Sequence, residues 1–79
     1  MLIVDPQGMV VSPRIKSNRF STIERNPMRV IRGIIVHQTG GVTAQSSFDN
    51  YKRPSSTGAH FLIDRDGTIY QTASLHKQT

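Results

Sequence analysis

Cysteine and tryptophan are both absent from this 79-residue chain. Without cysteine there is no disulfide framework, which is one of the common supports of small domains. The length allows one domain at most, with a small core, and only 35% of the residues are hydrophobic. A metal, a partner chain or further sequence would have to supply the missing stabilisation. We therefore expect an incomplete fold.

Long apolar runs are also missing. No run is longer than four residues, the length of residues 1–4, which is far shorter than a membrane-spanning helix requires. Residues 1–4 are apolar, but the apolar stretch is short and lacks the basic region that precedes the apolar part of a secretory signal. This argues against a signal peptide. We expect neither a membrane span nor a signal peptide, so a role outside the cytoplasm would need another route of delivery.

Acidic residues are scarce: five Asp and Glu stand against ten Lys and Arg, giving a net charge of +5. A basic chain favours an anionic partner, such as nucleic acid, a membrane surface or the bacterial cell wall. The basic residues form no helical stripe and have few aromatic residues among them, so the pattern only weakly supports a nucleic-acid surface. We expect no nucleic acid as partner.

The chain divides into an irregular arm, residues 1–29, and a patterned part, residues 30–79. Within the arm only residues 9–11 suggest a short strand. Residues 30–37 predict a strand. Its apolar run, residues 34–36, is expected to be buried on both faces, because it does not alternate with polar residues. His37 ends this strand before a Gly-Gly turn, at the kind of sheet rim where α/β proteins bind ligands. It is either a functional residue or merely the first polar residue after a core strand.

A helix and a hairpin follow. The Thr43 hydroxyl is placed to cap a helix that runs to about Tyr51, and Ala44, Phe48 and Tyr51 fall on one apolar face of it. Residues 59–63 and 68–72 predict two strands joined by a tight turn at residues 64–67. The predicted order is therefore strand, helix, β-hairpin.

Few residues could carry chemistry. A catalytic zinc normally has three protein ligands, and no short metal-binding motif is present. His37 is a good first ligand, His60 fits a site residue or a core histidine equally well, and His76 carries little weight. Asp64 and Asp66 flank the hairpin turn, where aspartate commonly bonds its own backbone, so we do not expect them to act as an acid/base pair.

Two blocks of sequence, IIVHQT at residues 34–39 and GAHFLIDRDGTIYQ at residues 58–71, resemble the zinc-dependent N-acetylmuramoyl-L-alanine amidases. This superfamily includes the phage-lysozyme-type amidases and the peptidoglycan-recognition proteins. The blocks come in the family's order and spacing, and the resemblance covers about residues 30–75. Residues 1–29 add nothing to it.

The resemblance implies an α+β (α/β) fold, in which helices flank a mixed β-sheet, and a peptidoglycan hydrolase as the function. Such an enzyme cleaves the bond between N-acetylmuramic acid and L-alanine with a zinc-activated water, at the bacterial cell wall. His37 occupies the position of the family's first zinc ligand. Thr39 and His60 are then candidate substrate-binding residues. The family does not use His60 as a zinc ligand, so His60 is expected to be either structural or groove-lining.

The resemblance also implies what is missing. The family's other zinc ligands and its proton-transfer residues would lie beyond Thr79, and the tyrosine that some relatives carry before His60 is Ala59 here. Residues 30–79 thus look like the N-terminal portion of an amidase domain, inactive alone, whose remainder could be a separate chain. The alternatives are a non-catalytic peptidoglycan-binding module of the same fold and, less favoured, a small basic nucleic-acid-binding protein.

Overall fold

A computed structural model describes residues 3–36, 38, 41 and 43–79 of the chain. Its strands are β1 (Ile3–Val4), β2 (Val10–Val11), β3 (Ile15–Ser17), β4 (Phe61–Ile63) and β5 (Ile69–Gln71), and its one α-helix is α1 (Ala44–Tyr51). A 3₁₀ helix covers Ser21–Ile23. Within these described ranges, no helix is long and apolar enough to span a membrane.

The sheet is mixed, as predicted. β4 and β5 pair antiparallel, and β3 pairs parallel to β5 on its other side, so β5 is the central strand. β1 and β2 form a separate two-stranded antiparallel sheet. The chain is therefore an α+β fold, which confirms the predicted class.

The predicted hairpin is confirmed. The Asp64 N–H donates to the Thr68 carbonyl at 2.8 Å and the Gly67 N–H to the Asp64 carbonyl at 2.9 Å. Gly67 has a φ of 88°, a left-handed conformation that glycine adopts without steric cost. The strands are shorter than the sequence predicts, since β4 begins at Phe61 and β5 ends at Gln71.

The N-terminal arm has more regular structure than its sequence predicts. Its β3 strand lies at the edge of the main sheet, with Ile15 opposite Ile69 and Ser17 opposite Gln71. Only one residue of β3 is apolar, so the strand has no local pattern. The β3 strand forms because it pairs with β5, which lies more than fifty positions further along the chain.

The predicted strand over residues 30–37 is wrong in the part that the structure describes. Residues 30–36 belong to no strand or helix, and the side chains of Ile34 and Ile35 are 89% and 94% exposed. An extended apolar segment becomes a strand only where a neighbour pairs with its backbone. Among the described residues, β5 is the only strand paired with β4. His37, the last residue of the predicted strand, lies outside the described residues.

The core consists of two small clusters joined by one ring. Ile23, Tyr51 and Ala73 form the first, and three buried residues of α1 and β4 form the second: Ala44, Phe48 and Leu62. Phe20 packs against both clusters, with its ring centroid 5.5 Å from that of Phe48 and 5.8 Å from that of Tyr51. The predicted apolar face of the helix is thereby confirmed.

The C-terminal residues close the fold against the end of the arm. The Arg25 N–H donates to the Gln78 carbonyl at 2.7 Å, and the Met28 N–H donates to the His76 carbonyl at 2.7 Å. Ala73 and Ser74 are almost completely buried. The tail, which has no pattern in the sequence, is therefore an integral part of the structure.

Candidate functional site

An open cavity of about 1250 Å³ lies between the exposed segment 31–36, helix α1, the β4 strand and the C-terminal residues. Its walls are largely apolar, and Ile34, Val36, Leu62 and Leu75 contribute to them. Ligand sites in proteins are commonly clefts with a few polar groups placed among apolar walls. This cavity is the candidate site.

The cavity borders the part of the sequence that carries the first motif. Val36 and Gln38, the neighbours of His37 in the chain, both line it, and so does Gly41. His37, the predicted zinc ligand, and Thr39, a predicted substrate-binding residue, lie outside the described residues. Their assignments stay predictions.

His60 lines the same cavity. Its Nε2 lies 2.6 Å from the Lys77 carbonyl oxygen, which can only accept, so Nε2 carries a proton. The imidazole is half-buried, and Nδ1 is left as the nitrogen through which a neutral ring could accept a hydrogen bond from a ligand. His60 therefore holds the C-terminal segment through Lys77 and also lines the cavity. Its substrate-binding role stays a prediction.

Tyr51 joins the cavity wall to the core. Burial raises the pKa of its phenol, an effect that a hydrogen bond with the Ala59 backbone partly opposes. The Tyr51 carbonyl accepts a hydrogen bond from the Thr22 hydroxyl. The side chain is therefore a neutral, fixed part of the wall at physiological pH.

Arg25 fixes the loop that borders the cavity after α1. Its guanidinium donates to the Ser55 and Ser56 carbonyls at 3.0 and 2.6 Å, and to the Thr22 carbonyl at 2.9 Å. All three bonds go to the backbone, so this arginine stabilises the loop. At least one of the ten basic residues therefore stabilises the fold through its hydrogen bonds to the backbone.

The helix cap differs from the prediction. The Thr43 side chain makes no cap hydrogen bond. Instead, the Ala44 N–H donates to Asp64 Oδ1 at 3.1 Å, so the cap comes from the hairpin turn, twenty positions along the chain. No local signal in the sequence marks this contact.

The other hairpin aspartate behaves as predicted. Asp66 Oδ1 accepts a hydrogen bond from the Thr68 N–H at 2.9 Å, within its own turn. This bond is the main cause that lowers the pKa of the Asp66 carboxyl, which is fully exposed.

The metal-ligating side chains that the structure describes lie apart from one another. Nowhere among residues 3–36, 38, 41 and 43–79 do three His, Cys, Asp or Glu side chains converge. The described residues therefore do not supply the three-ligand set that a catalytic zinc requires.

Residues 26–79, more than half of the chain, match the family model described as N-acetylmuramoyl-L-alanine amidase. The chain belongs to this family, which confirms the resemblance seen in the two sequence blocks. A search of curated proteins and a search of solved structures gave no match. The family match begins after β1, β2 and β3, so the strand at one edge of the main sheet comes from sequence outside it.

Proposed function

We propose that this chain acts on peptidoglycan as part of an N-acetylmuramoyl-L-alanine amidase, at the bond between N-acetylmuramic acid and L-alanine. The family match over residues 26–79 carries the proposal. The cavity supports it, because it lies between the described neighbours of His37 and the second sequence block, which contributes His60 and Leu62 to its walls. The site of action is then the bacterial cell wall, in the periplasm or outside the cell.

The cavity suits a ligand of mixed polarity. Its apolar walls can pack against the lactyl group and the alanine methyl, and His60 Nδ1 can accept a hydrogen bond from a peptide N–H. Arg65 also lines the cavity and offers a positive charge to stem-peptide carboxylates. The net charge of +5 would further favour approach to an anionic wall.

Zinc enters the proposal through His37 alone. We keep His37 as a predicted zinc ligand, but the described residues supply no set of three ligands around it. We therefore assign no reaction step to zinc in this chain. We propose instead that the 79 residues alone bind peptidoglycan and do not hydrolyse it.

A second candidate is a non-catalytic peptidoglycan-binding module. The same observation favours it, since the ligand donors described in the structure do not converge. For the 79 residues alone, the amidase proposal and the binding-module proposal both predict binding without cleavage. They predict different results only when the remaining zinc ligands are supplied, because only an amidase would then cleave peptidoglycan.

The experiment incubates the chain with purified peptidoglycan sacculi and measures two quantities, the fraction of protein that sediments with the sacculi and the release of free alanine amino groups. We expect sedimentation above that of a basic control protein of equal net charge, without amine release. Sedimentation equal to the control overturns the proposal of specific binding. Amine release at a catalytic rate overturns the proposal that this chain is inactive alone.

A further inference from the structure

The C-terminal wall of the cavity is held by the N-terminal arm. Leu75 lines this wall, and its N–H donates to the Gly8 carbonyl at 2.9 Å. The N–H before it, that of Ser74, donates to Glu24 Oε2 at 2.7 Å. Gly8 and Glu24 both precede the family match, which begins at residue 26. Two consecutive backbone groups of the wall are therefore bound by sequence outside the family match.

Glu24 is itself fixed in place. It directly follows the 3₁₀ helix Ser21–Ile23, and its N–H donates to the first residue of that helix at 3.1 Å. Ile23 is completely buried in the first core cluster. Arg19 donates to the Glu24 carboxylate through both Nε and Nη2. The carboxylate that meets Ser74 is thus held by the core on one side and by a guanidinium on the other.

Ser74 transmits this position to the cavity wall. Its Oγ donates to the Gln7 carbonyl at 2.5 Å and accepts from the His76 N–H at 3.0 Å, and its carbonyl accepts from the Lys77 N–H at 3.1 Å. The residue is almost completely buried. Because Leu75 is the next residue, the place of its side chain in the wall depends on where the arm holds Ser74.

We propose that Glu24 is a positioning residue for the candidate peptidoglycan site: its carboxylate holds the Ser74 backbone and so keeps Leu75 in the apolar wall of the cavity. This inference rests on the proposed function. Glu24 does not line the cavity, so its effect on a bound ligand passes through Ser74 and Leu75.

Three variants separate this role from a general effect on stability. Glu24→Ala removes the acceptor of the Ser74 N–H. Glu24→Gln keeps an oxygen acceptor and loses the negative charge, so it should restore part of the wild-type affinity. Ile15→Ala is the control for lost stability, because Ile15 is half-buried in β3 of the same arm and does not line the cavity.

The test measures the affinity of the chain for muramoyl-L-alanyl-D-isoglutamine by NMR titration, at a temperature where each variant is folded. One lost hydrogen bond changes an equilibrium about fivefold. We expect Glu24→Ala to weaken the affinity and to speed Ser74 amide exchange by about that factor. Glu24→Gln should lie between Glu24→Ala and wild type, and Ile15→Ala should bind like wild type.

A double-mutant cycle tests the route of the effect. Leu75→Ala removes apolar contact with the ligand and should weaken the affinity about tenfold. If Glu24 acts through Leu75, adding Glu24→Ala to Leu75→Ala should cost no further affinity, since residues acting through one chain of contacts are not additive. Should Glu24→Ala fail to fold, the cycle uses Glu24→Gln, whose smaller loss must likewise disappear in the Leu75→Ala background.

The outcomes distinguish the two proposals. If the wild-type chain does not bind the muramoyl peptide, the proposed function fails and the positioning role falls with it. If the wild-type chain binds but Glu24→Ala binds equally well, the function stands and the role of Glu24 is wrong. Equal weakening by Ile15→Ala, or losses that multiply in the double variant, also overturn the positioning role. A retained Phe48–Tyr70 ring contact by NMR, seen here at a centroid distance of 5.0 Å, confirms that each variant is folded.

Discussion

The Glu24 carboxylate accepts a hydrogen bond from the Ser74 backbone N–H at 2.7 Å, across fifty positions of the chain. Arg19 donates to the same carboxylate through Nε at 2.8 Å and Nη2 at 3.1 Å. The Glu24 side chain is only 7% exposed. This relationship ties the N-terminal arm, most of which precedes the family match, to the C-terminal segment.

The contact predicts a dependence of stability on acid. Burial alone would raise the pKa of Glu24, but the hydrogen bonds from Arg19 and Ser74 outweigh it, so the folded pKa lies below the usual value. Glu24 therefore stabilises the fold fully above its unfolded pKa of about 4.3, and the contribution is lost as the pH falls through the lower folded pKa.

Glu24→Gln tests this dependence. Arg19 is 38% exposed, so solvent screens the pair and we expect a loss of only about 1 kcal/mol at pH 7. Urea unfolding at pH 7 and pH 3 should show a gap between variant and wild type that narrows in acid. A gap of constant size would contradict the assigned ionisation.

Gln71 is the main polar residue of the core, with 1% of its surface exposed. Its Oε1 accepts from the Val10 N–H at 2.6 Å, and its Nε2 donates to the Gly8 and Ala73 carbonyls at 2.9 Å each. Gln71→Ala leaves these backbone groups without partners, so we expect it to lower the free energy of unfolding by about 2–4 kcal/mol.

The control for Gln71 is Gln45→Ala, which removes an exposed amide whose bond is to Asp49, one turn along α1. We expect a change below about 0.5 kcal/mol for this variant. Equal urea midpoints for the two variants would show that Gln71 does not connect β5 to the arm.

Gly58 is required by close packing. A Cβ at this position would lie 2.8 Å from Ile23 Cδ1 and 3.0 Å from the Tyr51 ring. We expect Gly58→Ala to destabilise the chain by about 1–3 kcal/mol, measured by urea unfolding. Gly33→Ala is the control, because a Cβ there has no described atom within 4 Å, and it should leave the midpoint nearly unchanged.

Residues 34–36 allow a test that distinguishes the exposed segment seen in the structure from the buried strand that the sequence pattern predicts. Ile35 is 94% exposed, so Ile35→Ala should change the free energy of unfolding by less than about 0.5 kcal/mol. A strand buried on both faces, as the apolar run predicts, would instead lose about 2–5 kcal/mol. Leu62→Ala, in the buried cluster of β4, should show that larger loss and serves as the reference.

The sequence predicts the elements whose signals are local. The helix follows from the spacing of Ala44, Phe48 and Tyr51, and the hairpin follows from a turn with glycine at position 67. What the sequence does not reveal depends on distant partners. The β3 strand forms only because its backbone pairs with β5. The cap of α1 comes from the Asp64 carboxylate, which accepts a hydrogen bond from the Ala44 N–H.

The candidate site is predictable in a different way. His60 was identified by its place in a sequence block, and it does line the cavity. Its bond to the Lys77 carbonyl could not be foreseen, because the tail has no pattern of its own. The prediction that residues 34–36 are buried is wrong, because hydrophobicity alone does not identify the surface that would cover them.

The most direct test of the account is an NMR titration of the chain with muramoyl-L-alanyl-D-isoglutamine, compared with L-alanyl-D-isoglutamine, which lacks the sugar. We expect the muramoyl peptide to bind more tightly and to shift the amide signals of Gln38, His60 and Leu62. Signals of Ile3 and Arg14, which do not line the cavity, should stay in place. Equal response to both peptides, or no shift at the cavity, would contradict the account.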